Sequence, residues 1–283
     1  MRFNTDIVST YLDVTAELHR KTKSIGLPLI GIGVGTAGII DPHKGIIEKS
    51  NPLNIHEPVD FYRAVAARQT VPVLIENDAK CCCWGELAFK KTDRHTNFMF
   101  VLGEFRAGRT VRSGYWGIAV GFAFVLNGKV HYGEDFSAGE FQSILWKEPN
   151  LGQFSLSDAA ARTIRKDRAV LLKALRELCA HIAFLVNVLN LTCVVFGGEI
   201  AAYRDEVTKI LREEIQRNWS YSNAVECAVE FATLGDKAVA YGAAGMFLER
   251  FFSIPDVVDT TEQKIASKIG APYQPTQRQH MRE

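Results

Sequence analysis

The chain is predicted to take an α/β fold with at least part of its sheet parallel. Apolar runs of strand length alternate with segments of helical periodicity. The runs end on Gly, Pro and Asn, and the opening order is helix, strand, helix, strand. Residues 5–23 place Ile7, Val8, Tyr11, Leu12, Val14, Thr15 and Leu18 at helical spacing with charged residues between them. PLIGIGVGTAGIID (28–41) reads as a buried strand that runs into a glycine-rich loop, followed by the turn DPHKG and the short strand GIIEKS. A helix over 59–68 and the strand VPVLIE complete this part. Residues 97–133 read as a strand (NFMFVLGEF), a polar loop (RAGRTVRSG) and a hairpin, GIAVGFAFVLNGKVHYG, turning at NGK. After a loop over 134–157, Ser157 and Asp158 stand where a helix cap is needed. A long helix over 169–190, a strand over 192–196 meeting Gly197-Gly198, a helix over 203–217, a strand over 225–231 and a helix over 236–252 follow. This organisation divides the chain into an incomplete first α/β domain (1–96), a second α/β domain (97–235), a C-terminal helix packing back toward the first (236–252), and a polar tail (253–283).

Composition narrows the function classes. With 283 residues, 33 Lys and Arg against 32 Asp and Glu, and 47% hydrophobic content, the chain has material for real cores but no basic footprint for nucleic acid. Direct DNA contact from this chain is therefore not expected. The longest apolar stretch, IAFLVNVLNLTCVVF (182–196), is broken by Asn and too short to span a bilayer, so no membrane association is expected and the compartment is read as cytoplasmic. The cysteines include a consecutive triplet, Cys81–Cys83, that can neither converge on one metal from a helix nor pair neatly. They read as small buried hydrophobes.

The most informative segment is PVLIENDAKCCCWGE (72–86), in which a strand delivers Asn77 and Asp78 to the mouth of a helix. A carboxylate there can take a proton from a bound hydroxyl, accept a hydrogen bond from it, or cap the helix. The segment alone leaves those uses open.

Five motifs carry a family resemblance: GIGVGTAGIIDPHKG; VPVLIENDAK with Glu86; NGKVHYG followed by AGE (138–140); VVFGG (194–198); and LGDKAVAYGAA (234–244). In this order and at these approximate spacings the chain resembles ROK-family proteins over about residues 5–250. That family contains sugar kinases and sugar-responsive repressors. The resemblance implies an actin-like, ribonuclease H-like two-domain fold. It also implies that Asp78 matches the general base of the kinases and Asn77 a sugar-hydroxyl ligand, with Glu140 holding further sugar hydroxyls. The Gly38 region and Asn54 line the other wall, with Asn51 an equal candidate for the Asn54 position. Gly197 and Gly198 match glycines on the nucleotide side.

Departures from the family pattern shape the expected activity. Gln142 and Ser143 stand where the family carries Gly-His, and no CxCGxxGC segment follows, so no zinc is expected there. Residues 145–168 replace that subdomain with a short connector. A first phosphate loop of DxGxT pattern, in a hairpin ahead of the opening helix, is missing from this reading. The second phosphate loop corresponds to Ala119, Gly121 and Ala123, where methyl groups replace two of three glycines. Arg106, Arg109 and Arg112 read as a solvated basic loop rather than a phosphate clamp.

The resulting expectation is a ROK-type sugar-binding regulatory protein without kinase activity, taking a monosaccharide or sugar phosphate and self-associating as a homodimer. The alternative is an ATP-dependent hexose or N-acetylhexosamine kinase. On that alternative Asp78 is catalytic, ATP and Mg are the cofactors, and Gly121, Gly197 and Gly198 serve the nucleotide.

Overall fold

The computed structural model describes residues 7–90, 94–107 and 116–252. Arg109, Arg112 and the tail from Ser253 lie outside the described residues. In the first lobe, helix α1 (Ile7–Ile25) buries Tyr11 and Thr15. Strands β1 (Ile32–Thr36), β2 (Ile39–Asp41), β3 (Ile46–Lys49) and β4 (Val59–Asp60) then lead into helix α2 (Phe61–Ala66), strand β5 (Val73–Asn77) and helix α3 (Asp78–Phe89). β1 and β5 form a parallel two-stranded sheet, and β2, β3 and β4 an antiparallel three-stranded one. The segment expected as one helix from residue 59 thus opens as a strand. Asp60 ends the strand and caps α2 by accepting the Arg63 N–H, which fixes where the helix begins. Tyr11 meets Phe61 edge-on, with ring centroids 5.2 Å apart, and ties α1 to this lobe.

The second lobe is built on strands β6 (Phe98–Ala107), β7 (Trp116–Leu126) and β8 (Lys129–His131), followed by helices α4 (Asp158–Ala161) and α5 (Arg168–Leu189). Strand β9 (Cys193–Gly197), a 3-10 segment (Glu199–Tyr203), helix α6 (Arg204–Arg217) and strand β10 (Ala228–Phe231) complete it, before helix α7 (Ala238–Phe252). Its five strands run in the order β10-β9-β6-β7-β8. β6, β7 and β8 are antiparallel, whereas β9 and β10 run parallel to β6. The β7–β8 turn uses Asn127 and Gly128 at φ of 52° and 75°, the pair of left-handed residues a tight hairpin needs. α5 stops at Asn190, which is itself left-handed and returns its N–H to the Val186 carbonyl.

Both faces of this sheet are buried. Met99, Val101, Phe122, Val194 and Phe196 pack under Leu175, Leu178 and Ile182 of α5. Phe98, Phe100, Ala123, Val125 and Val195 pack on the other side against Cys82 and Cys83 of α3. α3 therefore lies between the lobes and is buried on several sides, so its cysteine triplet is enclosed (0–1% exposed). Burial pushes all three thiols up, leaving them protonated and unreactive. α7 crosses α3 at Gly242, where a Cβ would stand 1.7 Å from the Cys81 carbonyl oxygen, so only glycine fits.

Candidate functional site

Asp78 opens α3 where β5 ends. Asn77, 7% exposed, caps the helix: its Oδ1 accepts the Lys80 N–H at 3.0 Å, and its Nδ2 donates to the Gly38 carbonyl at 2.9 Å. Gly38 adopts a φ of +129°, and a Cβ there would lie 2.3 Å from the Lys49 carbonyl oxygen. It is thus a glycine required by the backbone, and its carbonyl anchors Asn77. The cap use and the sugar contact that the resemblance implies for Asn77 meet on one carboxamide, half of whose hydrogen-bonding capacity is engaged by these two bonds.

Asp78 is half-buried. Its Oδ1 accepts the Ala79 N–H at 2.8 Å, and its own backbone N–H adds a second short-range bond. The carboxyl sits in a recess that solvent touches but protein crowds. Desolvation pushes its pKa up against the opposing Ala79 N–H and the charges of Arg106 and Lys80. Lys80 is 2% exposed and donates from Nζ to the Phe136 carbonyl at 3.0 Å. Its pKa is lowered by desolvation while Glu76, Glu140 and Asp78 oppose that shift. Glu140 stands solvent-exposed at the rim, its pKa raised by desolvation and by Asp78 and held down by Lys80. Asp78, Lys80 and Glu140 thus form one electrostatic set, two carboxylates around a buried ammonium. The AGE turn that carries Glu140 is held against β7 by the Phe122 N–H to the Gly139 carbonyl, at 2.9 Å.

Below this set Glu76 is fully buried and accepts the Tyr132 hydroxyl at 2.7 Å, with Arg250 of α7 4.0 Å away. Three segments that are remote in sequence meet there. Asn54 is placed differently. It sits exposed in a turn at φ 55° and shares a 3.2 Å hydrogen bond with His56, not with the Asn77–Asp78 pair. The adjoining Ser50 hydroxyl donates to the Ala37 carbonyl at 2.7 Å, so this loop abuts the Gly38 bend.

The positions that the resemblance assigns to the nucleotide lie along β7 and at the end of β9. Ala119, Gly121 and Ala123 lie within strand β7, paired with Glu104, Leu102 and Phe100, so they are ladder residues and not a loop. Gly121 passes the first turn of α3, where a Cβ would lie 3.5 Å from the Ala79 Cβ. Arg106 likewise belongs to β6 rather than to a solvated loop, and its charge acts on Asp78 and Glu104. Gly197 closes β9 under the Phe100 ring. Gly198 has a φ of +75°, and a Cβ there would meet Glu104 Oε1 at 2.5 Å.

Glu199, which follows, accepts the Phe105 N–H at 2.8 Å and an Arg165 guanidinium N–H. The Glu104 and Glu199 carboxyls lie close enough to shift each other's protonation. Desolvation and then the Glu199 charge raise Glu104. On Glu199 desolvation acts upward but is outweighed by the donors from Arg165 and Phe105, which bring it below the usual range. The backbone N–H of Phe105, near the end of β6, is thus satisfied by the protein's own carboxylate.

Sequence reasoning missed Lys80, Glu76, Glu104 and Glu199 as parts of these sites. Lys80 was within the quoted motif, but a lysine in a first helical turn reads as solvated. Glu104 and Glu199 are far apart in the chain and share no spacing signal.

The ROK family model matches residues 3–147 and 146–250. The chain belongs to the ROK family. Among related ROK proteins, the xylose repressor of Caldicellulosiruptor bescii is 23% identical over 280 residues, 86% of this chain and 69% of the repressor. A crystal structure of a ROK transcriptional regulator homologous to E. coli Mlc superposes with a TM-score of 0.64 at 16% identity, covering 85% of this chain and 68% of that one. A ROK glucokinase from Streptomyces griseus, solved with glucose and AMPPNP, gives a TM-score of 0.58 at 19% identity over 84% and 87% of the two chains. The fold is therefore the actin-like, ribonuclease H-like one of ROK proteins, with repressors and kinases both among the relatives. No described helix is long and apolar enough to cross a membrane.

Proposed function

We propose that this ROK protein is a sugar-sensing regulatory module whose cleft binds a monosaccharide or sugar phosphate through Asp78 and Glu140, without phosphoryl transfer. The observation that carries this reading is the contrast in carboxylate use. Asp78 is desolvated and accepts backbone N–H groups of its own helix start, keeping acceptor capacity for a ligand, whereas the Phe105 N–H on the nucleotide side is taken by Glu199 with Glu104 packed on Gly198. Phosphoryl transfer depends on donors and cations placed around the phosphates. A pair of carboxyls against Gly198 repels that ligand. A sugar needs only acceptors in fixed geometry, and an ionised acceptor gives the stronger hydrogen bonds. DNA contact, on this reading, belongs to a part other than these residues, in keeping with a net charge of +1. Association as a homodimer is part of the proposal: β1 has a ladder partner on one side only among the described residues.

Isothermal titration calorimetry tests the reading with glucose, xylose, N-acetylglucosamine and their phosphates, alongside a non-hydrolysable ATP analogue. Heat from one of the sugars and none from the nucleotide is the expected result. Saturable nucleotide binding together with ATP-dependent sugar phosphorylation would overturn it. A second reading, an ATP-dependent hexose or N-acetylhexosamine kinase using Mg, is favoured by Arg106, whose charge reaches Asp78 from the end of β6. In that case Asp78 is the base.

A further inference from the structure

At the far end of α3 from Asp78, three side chains from separate parts of the chain converge. His95 lies in the connection from α3 to β6, Cys193 begins β9, and Glu230 lies in β10. One ligand atom from each falls within 4.8 Å of the others. Cys193 is fully buried, and His95 and Glu230 are half-buried. The two strand residues share a sheet face, since Cys193 pairs with Ala228 and Glu230 follows two residues later, on the same side.

The Thr192 hydroxyl donates to the Asn97 carbonyl at 3.0 Å and stands 3.4 Å from His95 Nδ1, so the ring with its proton on Nδ1 donates to Thr192. In that tautomer the Nε2 lone pair faces Glu230 Oε1, 3.2 Å away, and an ion can share the two atoms. With its proton on Nε2 the ring instead donates to Glu230 directly. A metal-bound imidazole that donates its other N–H to an oxygen is the usual arrangement around such an ion. Lys90 bonds the other oxygen of Glu230, leaving Oε1 free for the shared position and adding an outer-sphere donor. A shallow pocket lined by Glu86, Lys90, Arg94 and His95 adjoins the cluster and gives water a route to a fourth position.

We propose that His95, Cys193 and Glu230 form a site for one divalent transition-metal ion of the zinc class. One nitrogen, one sulfur and one oxygen donor suit a borderline ion in tetrahedral geometry, with the fourth ligand supplied by water. On binding, the Cys193 thiol gives its proton to solvent and the thiolate becomes the ligand, so affinity rises with pH. The ion would clamp the α3–β6 connection to β9 and β10. This site is independent of the sugar cleft. It also differs in residues and place from the zinc motif whose absence the sequence predicts, and no spacing rule could have joined residues 95, 193 and 230.

The test uses untagged, chelator-treated protein titrated with Co(II), followed by Zn(II) competition. One equivalent of cobalt is expected, with a thiolate-to-cobalt charge-transfer band and the intense visible bands of a tetrahedral ion, both erased by zinc. His95→Gln and Glu230→Gln should each weaken binding by about 10–100-fold. Cys193→Ser should remove the charge-transfer band. Because Cys193 is buried and its variant risks misfolding, His95→Gln carries the decision. A folded His95→Gln protein, by circular dichroism, that takes cobalt as the parent does overturns the site. So does a parent protein that takes no cobalt, which assigns the shared position to a proton.

Discussion

Asp78 and Glu199 occupy comparable places in the two lobes. Each follows a buried parallel strand, β5 in the first and β9 in the second, and each opens the helical segment after it. Their surroundings drive them in opposite directions. Glu199 receives a backbone N–H and a guanidinium, so both oxygens are satisfied and its carboxyl is held below the usual range. Asp78 receives backbone N–H groups from the start of its own helix and is pushed above that range by desolvation. A carboxylate that the fold completes is part of the architecture; one that the fold crowds but leaves incomplete is poised for an outside donor. On the proposed function, the ligand side lies at Asp78 and the closed side at Glu199.

The comparison can be broken most directly at Asp78. Asp78→Asn should cost about 1.5–3 kcal/mol of sugar binding, on the order of 10–100-fold in Kd by calorimetry, through loss of charge-assisted hydrogen bonds. The same variant should raise Tm at neutral pH. With its pKa raised, the folded state holds the Asp78 proton more tightly than the unfolded chain does, so stability falls as pH rises through the raised pKa, and a neutral amide removes that loss. A variant with unchanged sugar affinity would place Asp78 with the cap residues.

On the opposite wall, the double change Glu104→Gln and Glu199→Gln should raise affinity for a nucleotide or inorganic phosphate by about tenfold, since like charges facing a ligand cost up to several kcal/mol. No gain in an equilibrium dialysis measurement would mean that the carboxyl pair does not exclude anions. Asn77→Ala should then lower folding stability by about 1 kcal/mol in urea unfolding, because the cap on α3 is lost.

A smaller effect sharpens the same contrast. Sugar affinity should weaken as pH falls through the raised pKa values of Asp78 and Glu140, because protonation replaces an ionised acceptor by a neutral one. A calorimetric pH series that stays flat into the acid range would exclude both carboxylates as acceptors. Light scattering should find a dimer at micromolar protein, and a clean monomer would remove the role proposed for the β1 edge.

The alternation of elements was readable in the sequence because each carries its own periodicity and punctuation. The helix expected over 169–190 is Arg168–Leu189, ended by Asn190, and the NGK turn stands between β7 and β8. The family motifs likewise brought Asn77, Asp78 and the AGE turn into view. What was not readable depends on the second lobe folding back on the first. Lys80 looks like a surface lysine until Phe136 and the acidic residues enclose it. Ala119 and Ala123 stand in the apolar run read as a hairpin strand, but their pairing with Glu104 and Phe100 of β6 across a polar loop carries no spacing signal. Glu104 and Glu199 meet only because β6 and β9 are neighbours in the sheet.

Gly242 carries a mechanical consequence. Where α7 crosses α3, the Cys81 carbonyl stands against a glycine, and farther along a Cβ on Gly245 would be 2.9 Å from that of Ala88. No layer of deformable side chains separates the two rods at these points, so sliding one past the other would require backbone to pass through backbone. They must travel as a single strut. A displacement imposed at the first turn of α3 is therefore carried into α7.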